Sequence, residues 1–216
     1  MALVLCLALL GSALWAQDVP MLSAEDHGDW QAIGRLNVAG YNKRRTCTAA
    51  LIAPDTVLTA AHCVVFPDGR PIPERLLRFV PGWFRGDYAA LGLVTKVTGA
   101  DAFAEGLSRG QTPIPRDTAV LTLTDPIEGI PPLTTSDVKT SLPVRILGYR
   151  HDRPHALSDS GPCPFQMTQD VLVMQCPATF GNSGGPVLQR QGSDWTVVGV
   201  VSAIDGKGTT FAPVVP

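Results

Sequence analysis

From residue 32 onward the apolar positions fall in short runs of strand length, separated by Gly, Pro, Asp and Asn. That spacing predicts a β-rich chain. The first half carries a run through Ile33, Leu36 and Val38, then runs at 47–53, 56–59, 76–80, 91–97 and 118–123, about six predicted strands. Pro67-Asp68-Gly69 and Pro81-Gly82 are turn signals among them. Ala60-Ala61-His62-Cys63 is expected to form a short helical turn after the third run. Thr124 to Pro132 is Pro-rich and aperiodic, which marks 125–136 as a linker. Further runs follow at 143–149, 163–167, 171–176, 185–189, 195–203 and 209–214, again about six. The expected division is 32–124, 125–136 and 137–216, with no sequence repeat relating the halves.

The chain has 216 residues, enough for one large domain or two small ones. A formal net charge of −2 gives no electrostatic case for nucleic acid or an anionic membrane as partner. Charged residues are only 17%, while Gly (21) and Pro (19) are plentiful, which favours short strands and turns over long amphipathic helices. Residues 1–16 read as a secretory signal, an apolar stretch followed by small residues. No Lys or Arg precedes that stretch, and Leu14 is large for its place before the cleavage point; a buried N-terminal segment or a membrane anchor is the alternative. Cys6 is not a lipoprotein site, because Leu5 stands where a small residue is needed. Residues 17–31 show no clear period and are expected to be a pro-segment or an N-terminal tail. Removing the signal leaves Cys47, Cys63, Cys163 and Cys176, an even set that suits an oxidising compartment, so the protein is expected to be secreted or periplasmic. Four cysteines allow three pairings. No metal or cofactor is expected. No stable membrane association is expected after signal cleavage.

Candidate chemistry begins at Gly181-Asn182-Ser183-Gly184-Gly185-Pro186. A serine set between glycines lets a substrate backbone come close, and the N–H groups of Gly181 and Ser183 could point at one developing oxyanion. A serine hydroxyl needs an adjacent base. Thr59-Ala60-Ala61-His62-Cys63 offers His62. Arg116-Asp117-Thr118-Ala119-Val120-Leu121 places an acid, Asp117, at the start of an apolar strand, where it could orient the imidazole. His27, His151 and His155 have no motif around them and read as solvated loop histidines.

TAAHC, DTAVLTL and GNSGGP, in the order His, Asp, Ser, resemble the chymotrypsin/trypsin-fold serine endopeptidases over nearly all of the mature chain. Within that family the sequence looks closest to the bacterial secreted branch that includes the glutamyl endopeptidases. The resemblance implies an all-β fold of two six-stranded Greek-key β-barrels, with the active site in the cleft between them and protein or peptide substrates. It pairs Cys47 with Cys63 beside the histidine, leaving Cys163 with Cys176 to clamp the hairpin before the serine loop. It places the substrate pocket between Pro177, Ala178, Thr179 and Phe180 and the later strand Val201, Ser202, Ala203 and Ile204, with Ser202 supporting the acid. Two departures matter. Asn182 stands where relatives activated by N-terminal cleavage carry an aspartate, so neutral hydrogen bonds are expected to hold the loop instead of a charge-assisted pair. Trypsin-like enzymes have an acid aligned with Pro177, and glutamyl endopeptidases a histidine aligned with Val201, so a small or apolar P1 residue is expected. A catalytically silent homologue that binds protein in the cleft, occluded by 17–31, is the alternative function.

Overall fold

The computed structural model describes residues 19–39 and 45–215. The signal expected over 1–16 lies outside the described residues. Six strands, β1 (Ile33–Val38), β2 (Arg45–Ala53), β3 (Thr56–Thr59), β4 (Leu77–Pro81), β5 (Gly92–Thr98) and β6 (Ala119–Leu123), close into a barrel in the order β1-β2-β3-β6-β5-β4. Every neighbouring pair is antiparallel. β6 alternates as a half-buried strand does, with Ala119, Leu121 and Leu123 buried and Val120 and Thr122 only partly so, whereas β2 is buried without a break from Cys47 to Leu51. Ile33, Leu36, Leu51, Val57, Phe79 and Leu121 fill the interior. Closure removes the exposed edges that a six-stranded open sheet would carry.

The second half contains β7 (Thr134–Thr135), β8 (Arg145–Arg150), β9 (Arg153–Asp159), β10 (Phe165–Thr168), β11 (Val171–Met174), β12 (Pro186–Gln191), β13 (Asp194–Val200), β14 (Ala203–Ile204) and β15 (Thr210–Pro213). They form two sheets, β7-β13-β12-β8-β9 and β10-β11-β15-β14. Bridges Val144↔Cys163 and Gly199↔Val214 join the sheets around Ile146, Leu172, Met174, Val187, Val198 and Ala212. The second barrel is thus two sheets joined at seams. The molecule has the chymotrypsin-like two-barrel architecture.

Three elements differ from the sequence pattern. β9 contains Arg153, Pro154 and His155 and shows no strand signal, yet it pairs with β8 from Leu147↔Asp159 onward; tertiary pairing overrides local propensity. The run at 195–203 is broken, because Val201 N donates to Gly185 O and Ser202 N to Phe211 O, and this turns the chain toward the cleft between β13 and β14. A helix, α2 (Asp101–Ser108), fills part of the segment between the runs at 91–97 and 118–123 and buries Phe103.

The described part of the N-terminal stretch is a strap docked on the second half. Leu22 N donates to Leu157 O, and Asp159 N to Pro20 O. A single helical turn, α1 (Ala24–His27), is capped by Ser23 Oγ, which accepts from Asp26 N. His27 is not solvated, as its lack of a motif suggested: it is 3% exposed, with its ring 5.0 Å from Phe84 and 6.4 Å from Tyr149. Its Nε2 has no partner. Burial lowers its pKa below the ordinary 6.5, opposed by its own carbonyl and that of Trp83. The folded pKa therefore lies below the unfolded one, so this group's stabilisation is complete above 6.5 and is lost as pH falls toward the folded value. Between pH 7 and pH 5 the denaturant midpoint of the parent protein is expected to fall more than that of His27→Phe, which keeps the ring contacts and cannot take a proton. Parallel midpoints across that range would refute this assignment.

Candidate active site

The first barrel supplies an acid and an imidazole. After β3 the chain enters a 3₁₀ turn, Ala61–Cys63, that carries His62. The turn is tied to β2 in two ways. The Cys47–Cys63 disulfide spans 6.2 Å between Cα atoms, and Arg45 donates from Nη2 to His62 O at 2.8 Å and from Nη1 to Val65 O at 2.7 Å. Asp117 follows another 3₁₀ turn, Ile114–Arg116, just before β6, which pairs with β3 through Thr59↔Ala119. That register sets the acid beside the imidazole. Asp117 Oδ1 accepts from His62 N at 2.8 Å, and Oδ2 lies 2.7 Å from His62 Nδ1. A carboxylate only accepts, so Nδ1 carries the proton and Nε2 remains free to accept one. The Asp117 side chain is 2% exposed and that of His62 24%.

The second half supplies the serine and a brace for the acid. Ser202, between β13 and β14, donates from Oγ to Asp117 Oδ2. Ser183 lies on the loop before β12. That loop is fixed by the backbone and by neutral side chains. Asn182, 3% exposed, accepts at Oδ1 from Thr179 N at 3.0 Å. Gly184 N donates to Val201 O, and Gly185 N to Asn182 O. Gly181 (φ +93) and Gly184 (φ +78) take left-handed conformations, and a Cβ at Gly184 would stand 2.2 Å from Thr59 Oγ1 and 2.3 Å from Thr48 O. Behind the loop the Cys163–Cys176 disulfide, 5.3 Å between Cα atoms, clamps the β10–β11 hairpin that leads into it.

Thr48 of β2 joins the halves and is the residue that sequence reasoning missed. It is fully buried; its N donates to Ser183 O at 2.8 Å, while Oγ1 donates to Gly181 O at 2.8 Å and accepts from Tyr149 N at 2.9 Å. One signal was available: a hydroxyl in the middle of the otherwise apolar run Cys47-Thr48-Ala49-Ala50-Leu51. With their carbonyls held, the N–H groups of Gly181 and Ser183 make no bond within the described residues.

Ser183 and His62 line one cavity of about 560 Å³. Among the described residues no hydrogen bond joins Ser183 Oγ to the imidazole. Thr179, Phe180, Val201, Ser202, Ala203 and Ile204 line the same cavity. Pro177 and Ala178 do not, and Ala178 packs instead against the core of the second half. His151, read as a solvated loop residue, is exposed but forms part of the wall, as does Arg45. A neighbouring cavity of about 260 Å³ lies beside His62 between Phe66, Phe103 and Leu107. None of residues 19–31 lines either cavity. Cys47, Cys63 and His62 place their ligand atoms within 4.8 Å of one another, but both sulfurs are in the disulfide, so the group offers a metal one nitrogen.

A sequence model of the trypsin-like peptidase domain matches residues 47–200. In structure the chain is similar to protease Anisep from Arthrobacter nicotinovorans, with a TM-score of 0.69 and 18% identity over 86% of this chain and 90% of that one. It is also similar to the thermostable serine protease AL20 from an extremophilic microorganism, with a TM-score of 0.67 and 20% identity over 86% of this chain and 92% of that one. None of the curated proteins matches the chain.

The bonds of Thr48 generate a stability test. Thr48→Val keeps the shape but leaves Gly181 O and Tyr149 N without their partner, at a cost of about 1–3 kcal/mol for each buried group. Chemical denaturation should show a loss in that range or above for Thr48→Val and a smaller one for Thr48→Ser, which retains the hydroxyl.

Proposed function

The chain belongs to the trypsin-like peptidase domain family, and from that premise we propose that it is a secreted or periplasmic serine endopeptidase that uses His62, Asp117 and Ser183. The observation that carries this reading is the Asp117 carboxylate, which receives both the backbone and the ring N–H of His62 and leaves Nε2 as a base beside the Ser183 cavity.

In the forward step His62 Nε2 takes the Ser183 proton as Oγ bonds to the substrate carbonyl carbon. The carbonyl oxygen becomes an oxyanion and takes the unengaged N–H groups of Gly181 and Ser183. Asp117 stays ionised and holds the resulting imidazolium. Collapse breaks the C–N bond, with the amine leaving with the proton from His62 and the acyl group remaining on Ser183. Water, deprotonated by the same nitrogen, then releases the acid. Both disulfides suit an oxidising compartment, and no helix among the described residues is long and apolar enough to cross a membrane.

The same cavity suggests what precedes the scissile bond. Val201, Ala203 and Ile204 form an apolar wall, Ile204 is 38% exposed, and among the described residues no carboxylate lines the cavity. A small or apolar P1 residue fits this wall. The rival reading, a silent homologue occluded by its N-terminal stretch, draws no support from residues 19–31, none of which lines either cavity.

A fluorophosphonate probe should label the protein, and Ser183→Ala should abolish labelling and lower turnover by roughly six orders of magnitude. Persistent labelling of that variant would exclude Ser183 as the nucleophile. A peptide library should show cleavage after Ala, Val or similar residues; cleavage confined to Arg, Lys or Glu would reject the P1 assignment.

A further inference from the structure

The cavity at Ser183 is uneven in its ionisable groups. Arg45, His62 and His151 line it, and among the described residues no acid does. The two carboxylates close to these groups in sequence or space are already engaged. Asp117 lies beneath His62 and is shared with Ser202. Asp152, next to His151, is held bidentately by Arg150 at 3.0 and 2.9 Å. Arg45 has no carboxylate partner among the described residues, because its terminal nitrogens go to the carbonyls of His62 and Val65. Those two bonds fix the guanidinium in place without cancelling its charge.

The strand order says which part of a substrate meets these groups. β14 ends its sheet, in the order β10-β11-β15-β14, so one edge of Ala203–Ile204 is open. An extended peptide adds to such an edge, and its scissile carbonyl then reaches Gly181 and Ser183. The acyl half occupies the apolar wall of Val201, Ala203 and Ile204. Past the scissile bond the chain must leave β14, and the lining away from residues 179–183 and 201–204 is Arg45, Thr46, Cys47, His62 and His151. His151 is locked beside the exposed Phe180 by its N–H to Phe180 O at 2.7 Å.

We infer that this wall selects peptides with Asp or Glu at the first or second position after the scissile bond. The inference rests on the peptidase reading above and assigns the leaving-group half of the same cleft. Arg45 supplies a fixed charge and His151 a second donor in the same lining. The selected acid is on the departing product, separate from the residue that enters the P1 wall.

The test uses quenched-fluorescence peptides with one small P1 residue and with Glu, Gln or Lys at either of the two following positions. The expected order of kcat/KM is Glu, Gln, Lys, with about fivefold between Glu and Gln, the size of a partly exposed ion pair. That ratio should shrink at high salt, and His151→Glu, which keeps the backbone bond to Phe180 O, should favour the Lys peptide. Equal rates for Glu and Gln, or a Lys preference in the parent protein, would overturn the inference while leaving the peptidase assignment intact. No turnover of any peptide would overturn both.

Discussion

A carboxylate with almost no contact with water must have its charge met by donors, and Asp117 meets this requirement with groups drawn from both halves of the molecule. His62 N and Nδ1 come from the turn after β3, and Ser202 Oγ comes from the break between β13 and β14. Removing any of these leaves a buried charge short of a partner. The acid therefore does two things at once: it fixes the ring and tautomer of His62, and it ties the second barrel to the first at the point where the cleft opens. The irregularity at Val201 and Ser202 follows from the same need, since an unbroken strand would not deliver the hydroxyl there.

The loop carrying Ser183 is held by a different kind of force. No charged side chain braces it. Thr48, Asn182 and the backbone of Val201 take its carbonyls and amides, while Gly184 allows the chain to bend against β2 and β3 and Gly181 against β8. Neutral bonds of this kind are individually modest but costly to leave unmade once buried. Their arrangement leaves two N–H groups free in a place where the surrounding carbonyls are already satisfied, and that is the condition for stabilising a transient oxyanion.

Much of this was legible in the letters. The six strands of the first barrel stand out because each is a short apolar or alternating run bounded by turn residues, and the three motifs around His62, Asp117 and Ser183 lie at strand ends where a short pattern is informative. What stayed hidden depended on distant partners. β9 is polar and contains Pro154, so only its pairing with β8 makes it a strand. α2 is too short for its period to stand out, and Phe103 gains its meaning from contact with the His62 ring, 6.3 Å away. Thr48 and Arg45 act through carbonyls belonging to other segments, and no local pattern announces such bonds. His27 and His151 were both read as solvated, and they diverged because one is covered by Phe84 and Tyr149 while the other is pinned at the rim of the cleft.

The docking of the N-terminal strap on β9 has a consequence for the order of assembly. The strap around Pro20 and Leu22 has its backbone partners at Leu157 and Asp159, far downstream. Those bonds need β8 and β9 to have paired. Joining segments so distant in sequence is a slow, non-local step, so the strap's seat on β9 is expected to lock late.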